Sequence, residues 1–151
     1  MHYTKNNIGK MIDTDIAGGK HLIVAGSGTD NAKATGETID RLKFDSIVLS
    51  VAYIATLAAT KTLSITIEEQ QSADGSIWDT ATATLATTVV LTGASGGSTG
   101  VLGVTNTNIN LASKKRYIRY NITADLSNTS SDTASWLATV TKGGSYTEPT
   151  S

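Results

Sequence analysis

The alternation of branched or aromatic residues with polar ones most limits what this chain can fold into. It is clearest around Tyr120, where Ile118, Tyr120 and Ile122 share one side of a predicted strand and Tyr117 and Arg119 share the other. This follows because successive side chains of a strand point to opposite faces. We expect the first three residues to lie in the core. The other two are predicted to face water or a partner.

The same two-residue period recurs along the chain, whereas no long segment has the period of a helix. Turns rich in Gly, Ser, Asn and Asp separate the alternating segments, and Asp74-Gly75 is a typical hairpin turn. The pattern predicts an all-β fold, an antiparallel β-sandwich or jelly roll of about seven or eight strands. The predicted strands span residues 21–25, 44–54, 62–71, 76–78, 82–91, 101–111, 114–123 and 135–141.

The strand predicted at 44–54 is apolar on both faces. Ile47, Leu49 and Val51 form one face, and Val48 and Ile54 make the other face apolar too. Such a strand is expected at the centre of a sheet, or covered on its outer side. We therefore place a contact between copies of the chain at Val48 and Ile54.

The chain length of 151 residues fits one domain, which we divide into three parts. Residues 1–20 are broken up by Asn and Gly and are predicted to form an extended N-terminal arm. Residues 21–142 form the β-sandwich domain, and residues 143–151 form a polar C-terminal tail. We expect the arm to contact a partner through its larger apolar side chains, which are Tyr3, Ile8, Met11, Ile12 and Ile16.

Composition excludes several classes of protein. The net charge of -1 and the pI of about 6.1 argue against a nucleic-acid partner, which requires a basic surface. The chain has no cysteine, which excludes disulfides and thiolate metal sites. The first residues lack the apolar region of a secretory signal, and no apolar run is long enough to cross a membrane. We therefore expect synthesis in a cytoplasm and no membrane partner.

Residues that could carry catalysis are scarce. His2 and His21 are the only histidines, and the adjacent Glu68 and Glu69 would face opposite sides of a strand. The pattern therefore predicts no enzyme and no cofactor. Two groups of oxygen ligands lack the spacing of an EF-hand calcium loop, so no metal site is predicted. These groups are Asp13-Thr14-Asp15 and the set Asp125, Asn128 and Asp132.

One basic cluster, residues 114–116, precedes Tyr117 and Arg119. Tyrosine and arginine are enriched at the energetic centres of protein interfaces, which favours a protein partner for these two residues. The alternative is an edge strand that positive charge protects from further pairing.

Two segments carry a resemblance to a known group of proteins. They are Ile-Thr-Ile-Glu-Glu-Gln-Gln-Ser-Ala-Asp-Gly-Ser-Ile-Trp at 65–78 and Ala-Ser-Lys-Lys-Arg-Tyr-Ile-Arg-Tyr-Asn-Ile-Thr at 112–123. Their order resembles head decoration (cement) proteins of tailed bacteriophages and related β-sandwich modules of virions, over residues 44–140. Carbohydrate-binding sandwiches of the discoidin type carry a similar second segment.

The resemblance implies a protein without catalytic residues that stabilises the exterior of a capsid. The implied partners are the major capsid protein and two further copies in a homotrimer, and the implied location is the virion surface. One alternative is a tail or fibre module. Another is a carbohydrate-binding module that attaches the virion to host glycans, for which the exposed aromatic candidates are Trp78, Tyr117 and Tyr146, with Trp136 expected in the core.

Overall fold

The computed structural model describes residues 12–80, 83–128 and 130–144, and these ranges contain nine strands. Tyr3, Ile8 and Met11 lie outside them. No helix in the described part of the chain is long and apolar enough to cross a membrane. The strands are β1 Asp13–Val24, β2 Lys33–Thr35, β3 Ile39–Asp40, β4 Ser46–Leu57, β5 Thr62–Ser72, β6 Ala83–Thr92, β7 Ser98–Asn110, β8 Tyr117–Leu126 and β9 Thr133–Gly143.

The strands form two antiparallel sheets. Sheet I has the order β1-β9-β4-β7, and sheet II has the order β2-β8-β5-β6, with β3 beside β2 on the same side of β8. Strands from the first half of the chain pair with strands from the second half: β1 with β9, β2 and β3 with β8, and β4 with β7, while β5 and β6 pair at the centre. A long hairpin rolled into two sheets has this order, so the fold is a jelly roll, as the alternation predicts.

The inner faces of the two sheets make one core. Ile118, Tyr120 and Ile122 are at most 1% exposed, which confirms the predicted inward side of β8. From β9, Trp136 is buried as predicted, and the ring of His21 on β1 stacks on it with ring centroids 4.3 Å apart. Aliphatic residues of β4 and β5 belong to the same core.

Strand β4 is central in sheet I, as its two apolar faces predict. Every second residue from Ile47 to Leu57 is buried, whereas Val48 and Ile54 on the other face are 37% and 42% exposed. No described strand covers this outer face. The apolar outer positions of β4 are therefore surface residues of the described chain.

The first strand begins at Asp13 instead of at residue 21, so the predicted start of the strand is wrong. The pairing of β1 with β9 shifts register between Ile16 and Gly18 and again between Gly18 and His21. Each irregularity breaks the two-residue period while pairing continues. Lys142 of β9 joins the early part of β1 to the sheet, because its Nζ lies 2.7 Å from a carboxylate oxygen of both Asp13 and Asp15.

Three other details of the predicted strands are corrected. Residues 76–78 make one bridge, from Trp78 to Ser72, and the next strand along the chain that pairs with β5 is β6. Two register shifts in that pair turn Leu85 and Val90 toward the core, whereas Val89, predicted to lie on the same face as Leu85, is 56% exposed. The short strands β2 and β3 fall in a segment without visible alternation.

Candidate interaction surface

The outer face of sheet I is half apolar. Pairing register sets Leu22, Ser135, Ile54 and Leu102 in one row across the four strands, because Leu22 pairs with Ser135, Ser135 with Ile54, and Ile54 with Leu102. The next row contains Leu137, Ala52 and Val104. These rows border a shallow, mostly apolar depression of about 230 Å³. Exposure is 60% for Leu22, 77% for Leu102, 59% for Val104 and 40% for Leu137.

The other half of this face is polar but uncharged. Its rows carry Ser, Thr and Asn side chains around Val48, including Asn108 on β7 and Thr141 on β9. Of the side chains that project outward from β4, β7 and β9, none is charged. Lys20 of β1 stands at the border of the apolar half. Charged residues are depleted at the centres of protein interfaces, so this face has the composition of a binding surface.

The predicted contact residues divide between the two sheets. Val48 and Ile54 lie on the outer face of sheet I, and Ile16 lies on the same side of β1, opposite Thr139, with 59% exposure. Ile12 immediately precedes β1 and is 39% exposed. The described arm residues are therefore next to the predicted oligomer contact instead of being separate from it.

Four residues of this face were not predicted from the sequence: Leu22, Leu102, Val104 and Leu137. Their signal is present, because each is an apolar residue at an outward position of an alternating segment. Only the pairing register shows that they adjoin Ile54.

Tyr117 and Arg119 lie on the outer face of sheet II and contact the segment after β5. The Arg119 guanidinium lies 4.2 Å from the Trp78 ring centroid, and its Nε donates a hydrogen bond of 2.8 Å to Gln70 Oε1. A Cβ atom at Gly75 would lie 3.4 Å from the Tyr117 ring. The two segments that carry the family resemblance therefore pack against each other, and both side chains are half-buried within this chain.

The turn between Ser72 and Trp78 is built by side chains. Asp74 Oδ1 accepts hydrogen bonds of 2.8 Å from the N–H groups of Ser76 and Ile77, and the Ser72 hydroxyl donates to the Ile77 carbonyl. The hydrogen bond from the Ile77 N–H, followed by the one from the Ser76 N–H, holds the pKa of Asp74 below its ordinary value. Gly75 has a φ of +78°, a conformation that strains other residues. The motif therefore fixes Trp78 over β8, where its ring lies against the Arg119 guanidinium.

Several acidic side chains pair with basic ones. Glu68 contacts Lys33, and Glu69 Oε1 lies 2.7 Å from Lys114 Nζ. Asp40 pairs with Arg116, whose hydrogen bond holds the pKa of that carboxyl below its ordinary value. Within residues 12–80, 83–128 and 130–144, no group of three potential metal ligands is present.

One polar pair lies inside the sandwich. Glu69 and Tyr120 are opposite each other on β5 and β8, and both are almost fully buried. Burial, and secondarily the negative charge of Glu69, raises the pKa of the Tyr120 hydroxyl. Glu69 is 2% and Tyr120 0% exposed, so we assign the pair to the core.

Two carboxyl groups in ion pairs have pKa values below the ordinary one. A hydrogen bond from Lys142 holds the pKa of Asp13 below its ordinary value, as Arg116 does for Asp40. Burial lowers the pKa of Lys142, but the hydrogen bonds to Asp13 and Asp15 outweigh it, and the net pKa is raised. Both links are therefore fully charged near neutral pH.

Strand β7 contains one close approach. Tyr53 on β4 lies opposite Gly103 and extends past it, so that its hydroxyl donates a hydrogen bond of 2.7 Å to the carbonyl of Val90 on β6. A Cβ atom at Gly103 would collide with Oη and Cζ of Tyr53 and lie 2.9 Å from Cε2. Tyr53 thereby connects the two sheets through the space that glycine leaves.

Comparison with known proteins finds no matching protein family and no matching curated protein. Among solved structures, the chain is similar to the infectious bursal disease virus VP2 subviral particle, with 15% identity, a TM-score of 0.47, and coverage of 91% of this chain and 34% of that chain. It is also similar to the PBSX exported protein XepA, with 18% identity, a TM-score of 0.41, and coverage of 92% and 39%. The chain thus spans about a third of the length of these proteins, and the similarity concerns the fold.

Proposed function

We propose that this chain is a non-enzymatic structural protein of a bacteriophage virion, namely a capsid decoration protein that binds the outer capsid surface and stabilises the head. The observation that carries the proposal is the outer face of sheet I, which is half apolar and carries no charged side chain on β4, β7 and β9. A protein made for binding needs such a face and no catalytic residues. The resemblance of residues 65–78 and 112–123 to decoration proteins supports the same function.

The face approaches the size of a standard protein contact. Four strands spaced about 4.8 Å apart and about ten residues long give roughly 600 Å² in projection. A standard protein interface buries about 800 Å² on each partner. Seated across a joint between capsid subunits, the apolar rows around Ile54 and Leu102 would lose their contact with water. Separation of the subunits would expose them again, which opposes rupture of the head.

Oligomerisation would strengthen this attachment. We propose a homo-oligomer, because several weak contacts on one body act at a high effective concentration. The resemblance to decoration proteins implies that this oligomer is a trimer. Light scattering on the purified protein measures the number of copies directly.

Binding to phage heads tests the proposal. Heads that lack the protein are mixed with the purified chain and sedimented, and the bound chain is quantified. We expect Ile54→Lys to reduce binding at least tenfold, because it places a charge in the apolar half of the face. Thr87→Lys is the matched control, since Thr87 is exposed on the outer face of sheet II. Equal binding by both variants would show that the outer face of sheet I is not the contact.

The contribution of the arm needs a truncation that respects β1. Removal of residues 1–19 would delete Asp13 and Asp15 and leave the buried Lys142 without its partners. Removal of residues 1–11 preserves β1. We expect this shorter truncation to weaken binding to heads if Tyr3, Ile8 and Met11 contact the capsid, and circular dichroism should show an unchanged β fold.

A further inference from the structure

Strand β7 is a sheet edge without the usual protection. Edge strands commonly carry charges, prolines or bulges, or are short, which prevents pairing with other chains. The 13 residues of β7 contain no charged residue and no proline. From Val101 to Asn110 they pair with β4 without a register shift. No other described strand pairs with the opposite side of β7.

The other three edges of the sandwich are protected. Strand β1 has two register shifts and carries Asp13, Asp15 and Lys20. Strands β2 and β3 have three and two residues. Strand β6 is uncharged, but two register shifts interrupt its pairing with β5. Among the described strands, β7 alone is long, regular and uncharged at an open edge.

The pairing pattern shows which backbone groups of β7 face this edge. The Ala25 N–H donates to the Asp132 carbonyl, so Asp132 directs its backbone groups toward β1. Successive residues of a strand direct these groups to opposite sides. The even-numbered residues of β9 therefore bond to β1, and the odd-numbered residues bond to β4. The odd-numbered residues of β9 lie opposite the even-numbered residues of β4, so the odd-numbered residues of β4 bond to β7. The Leu111 N–H donates to the Asp45 carbonyl, and this bond agrees with the assignment because both residues are odd-numbered. On β7, the N–H and C=O groups of Leu102, Val104, Asn106 and Asn108 therefore point away from β4.

We propose that β7 pairs antiparallel with β7 of a second copy, about a two-fold axis at Val104. Val104 then lies opposite its own symmetry mate, and Leu102 lies opposite Asn106 of the other copy. This register overlaps the full strand, and it brings together the exposed side chains of Leu102 and Val104 from both copies. The four strands of sheet I become half of one eight-stranded sheet.

A second copy fits this edge better than a charged partner strand. When a strand pairs antiparallel with its own copy, each residue near the two-fold axis lies close to the same residue of the second copy. A charged residue there would therefore repel its copy. Strand β7 has no charge to repel. The net charge of -1 also leaves little repulsion between whole copies. The inference goes beyond the proposed function, because it requires no capsid.

Cysteine cross-linking tests the axis. The chain has no cysteine, so Val104→Cys carries a single thiol. Directly opposite residues that exchange hydrogen bonds lie about 5.5 Å apart at Cα, which is within the range for a disulfide. Leu102→Cys is the register control, because its symmetry mate would be displaced by four residues, about 13 Å along the strand, which is too far for a disulfide. Val89→Cys is the exposure control on β6, where Val89 is 56% exposed.

On mild oxidation we expect Val104→Cys to give a disulfide-linked dimer at least tenfold faster than Leu102→Cys or Val89→Cys. Equal rates for the three variants would overturn the proposal. Light scattering gives an independent result: the unmodified protein should have twice the chain mass of 15.7 kDa. A monomer at all concentrations, or the trimer that the resemblance implies, would also overturn it, whereas a dimer would replace that trimer.

An edge variant removes the pairing without breaking the fold. The N–H of Asn106 points to the open edge, so Asn106→Pro deletes a hydrogen bond to the second copy and none to β4. We expect this variant to be monomeric with an unchanged circular dichroism spectrum. A folded Asn106→Pro variant that still forms dimers would show that copies associate elsewhere.

Discussion

The contact between Tyr53 and Gly103 gives the sharpest test of how the two sheets are held together. In Gly103→Ala, the new methyl group occupies the position of the Tyr53 hydroxyl and Cζ. The ring is 9% exposed and packed in the core, so it cannot turn into open space. It must move away from β7, and the hydrogen bond from its hydroxyl to the Val90 carbonyl is lost.

The expected cost has two parts. Loss of the hydrogen bond costs about 1 kcal/mol. Forcing an additional methyl group into a packed site costs about 1–3 kcal/mol. Gly103→Ala should therefore lower the free energy of unfolding by roughly 2–4 kcal/mol, whereas Tyr53→Phe should lower it by about 1 kcal/mol.

A double-mutant cycle separates the collision from a general effect of alanine. Tyr53→Leu is destabilising by itself, but it removes the atoms that the methyl group meets. In that background we expect Gly103→Ala to cost less than about 0.5 kcal/mol, so that the two substitutions couple by about 2 kcal/mol. Guanidinium unfolding followed by circular dichroism measures all four proteins. The same cost of Gly103→Ala in both backgrounds would refute the explanation.

Three further predictions concern the turn, the ion pairs and the stacked pair. Gly75→Ala should lower the free energy of unfolding by roughly 1–2 kcal/mol, because its φ of +78° is left-handed; an unchanged urea midpoint would contradict this. The lowered pKa values of Asp13 and Asp40 stabilise the fold above the unfolded value of about 3.9, and this stability is lost as pH falls through the folded values. The urea midpoint should therefore fall between about pH 5 and pH 2, with a shallower fall in the double variant Asp13→Asn/Asp40→Asn. Arg119→Ala should uncover the Trp78 ring, cost about 0.5–1 kcal/mol, and shift its fluorescence to longer wavelength; an unshifted spectrum would show that the guanidinium does not shield the ring.

The sequence predicts features that depend on local period, and it fails where pairing becomes irregular. The inward side of β8, around Tyr120, follows from alternation alone. The start of β1 at Asp13 does not, because register shifts at Gly18 interrupt the period while pairing continues. Strict alternation would place Val89 on the same side of β6 as Leu85, which is wrong for the same reason, since a bulge reverses the direction of every later side chain.

The candidate interaction surface is partly predictable. The apolar second side of β4 indicates Ile54 from the sequence alone. Its neighbours Leu22, Leu102 and Leu137 come from three distant parts of the chain, and only the strand order of sheet I brings them together. Alternation places Tyr117 and Arg119 on the outer side of β8, but it does not show that the turn with Gly75 and Trp78 folds back onto them.

The antiparallel pairing of β1 with β9 also has a mechanical consequence. Asp13 lies opposite Lys142, so the start of the first strand and the end of the last strand lie side by side. A pulling force applied between these two points would separate the strands from this end and break their hydrogen bonds one pair at a time. It would not load all the hydrogen bonds in shear together. The ion pairs of Lys142 with Asp13 and Asp15 stand where this peeling would begin. Resistance to stretching at this corner thus depends on one buried ammonium group more than on the length of the strand.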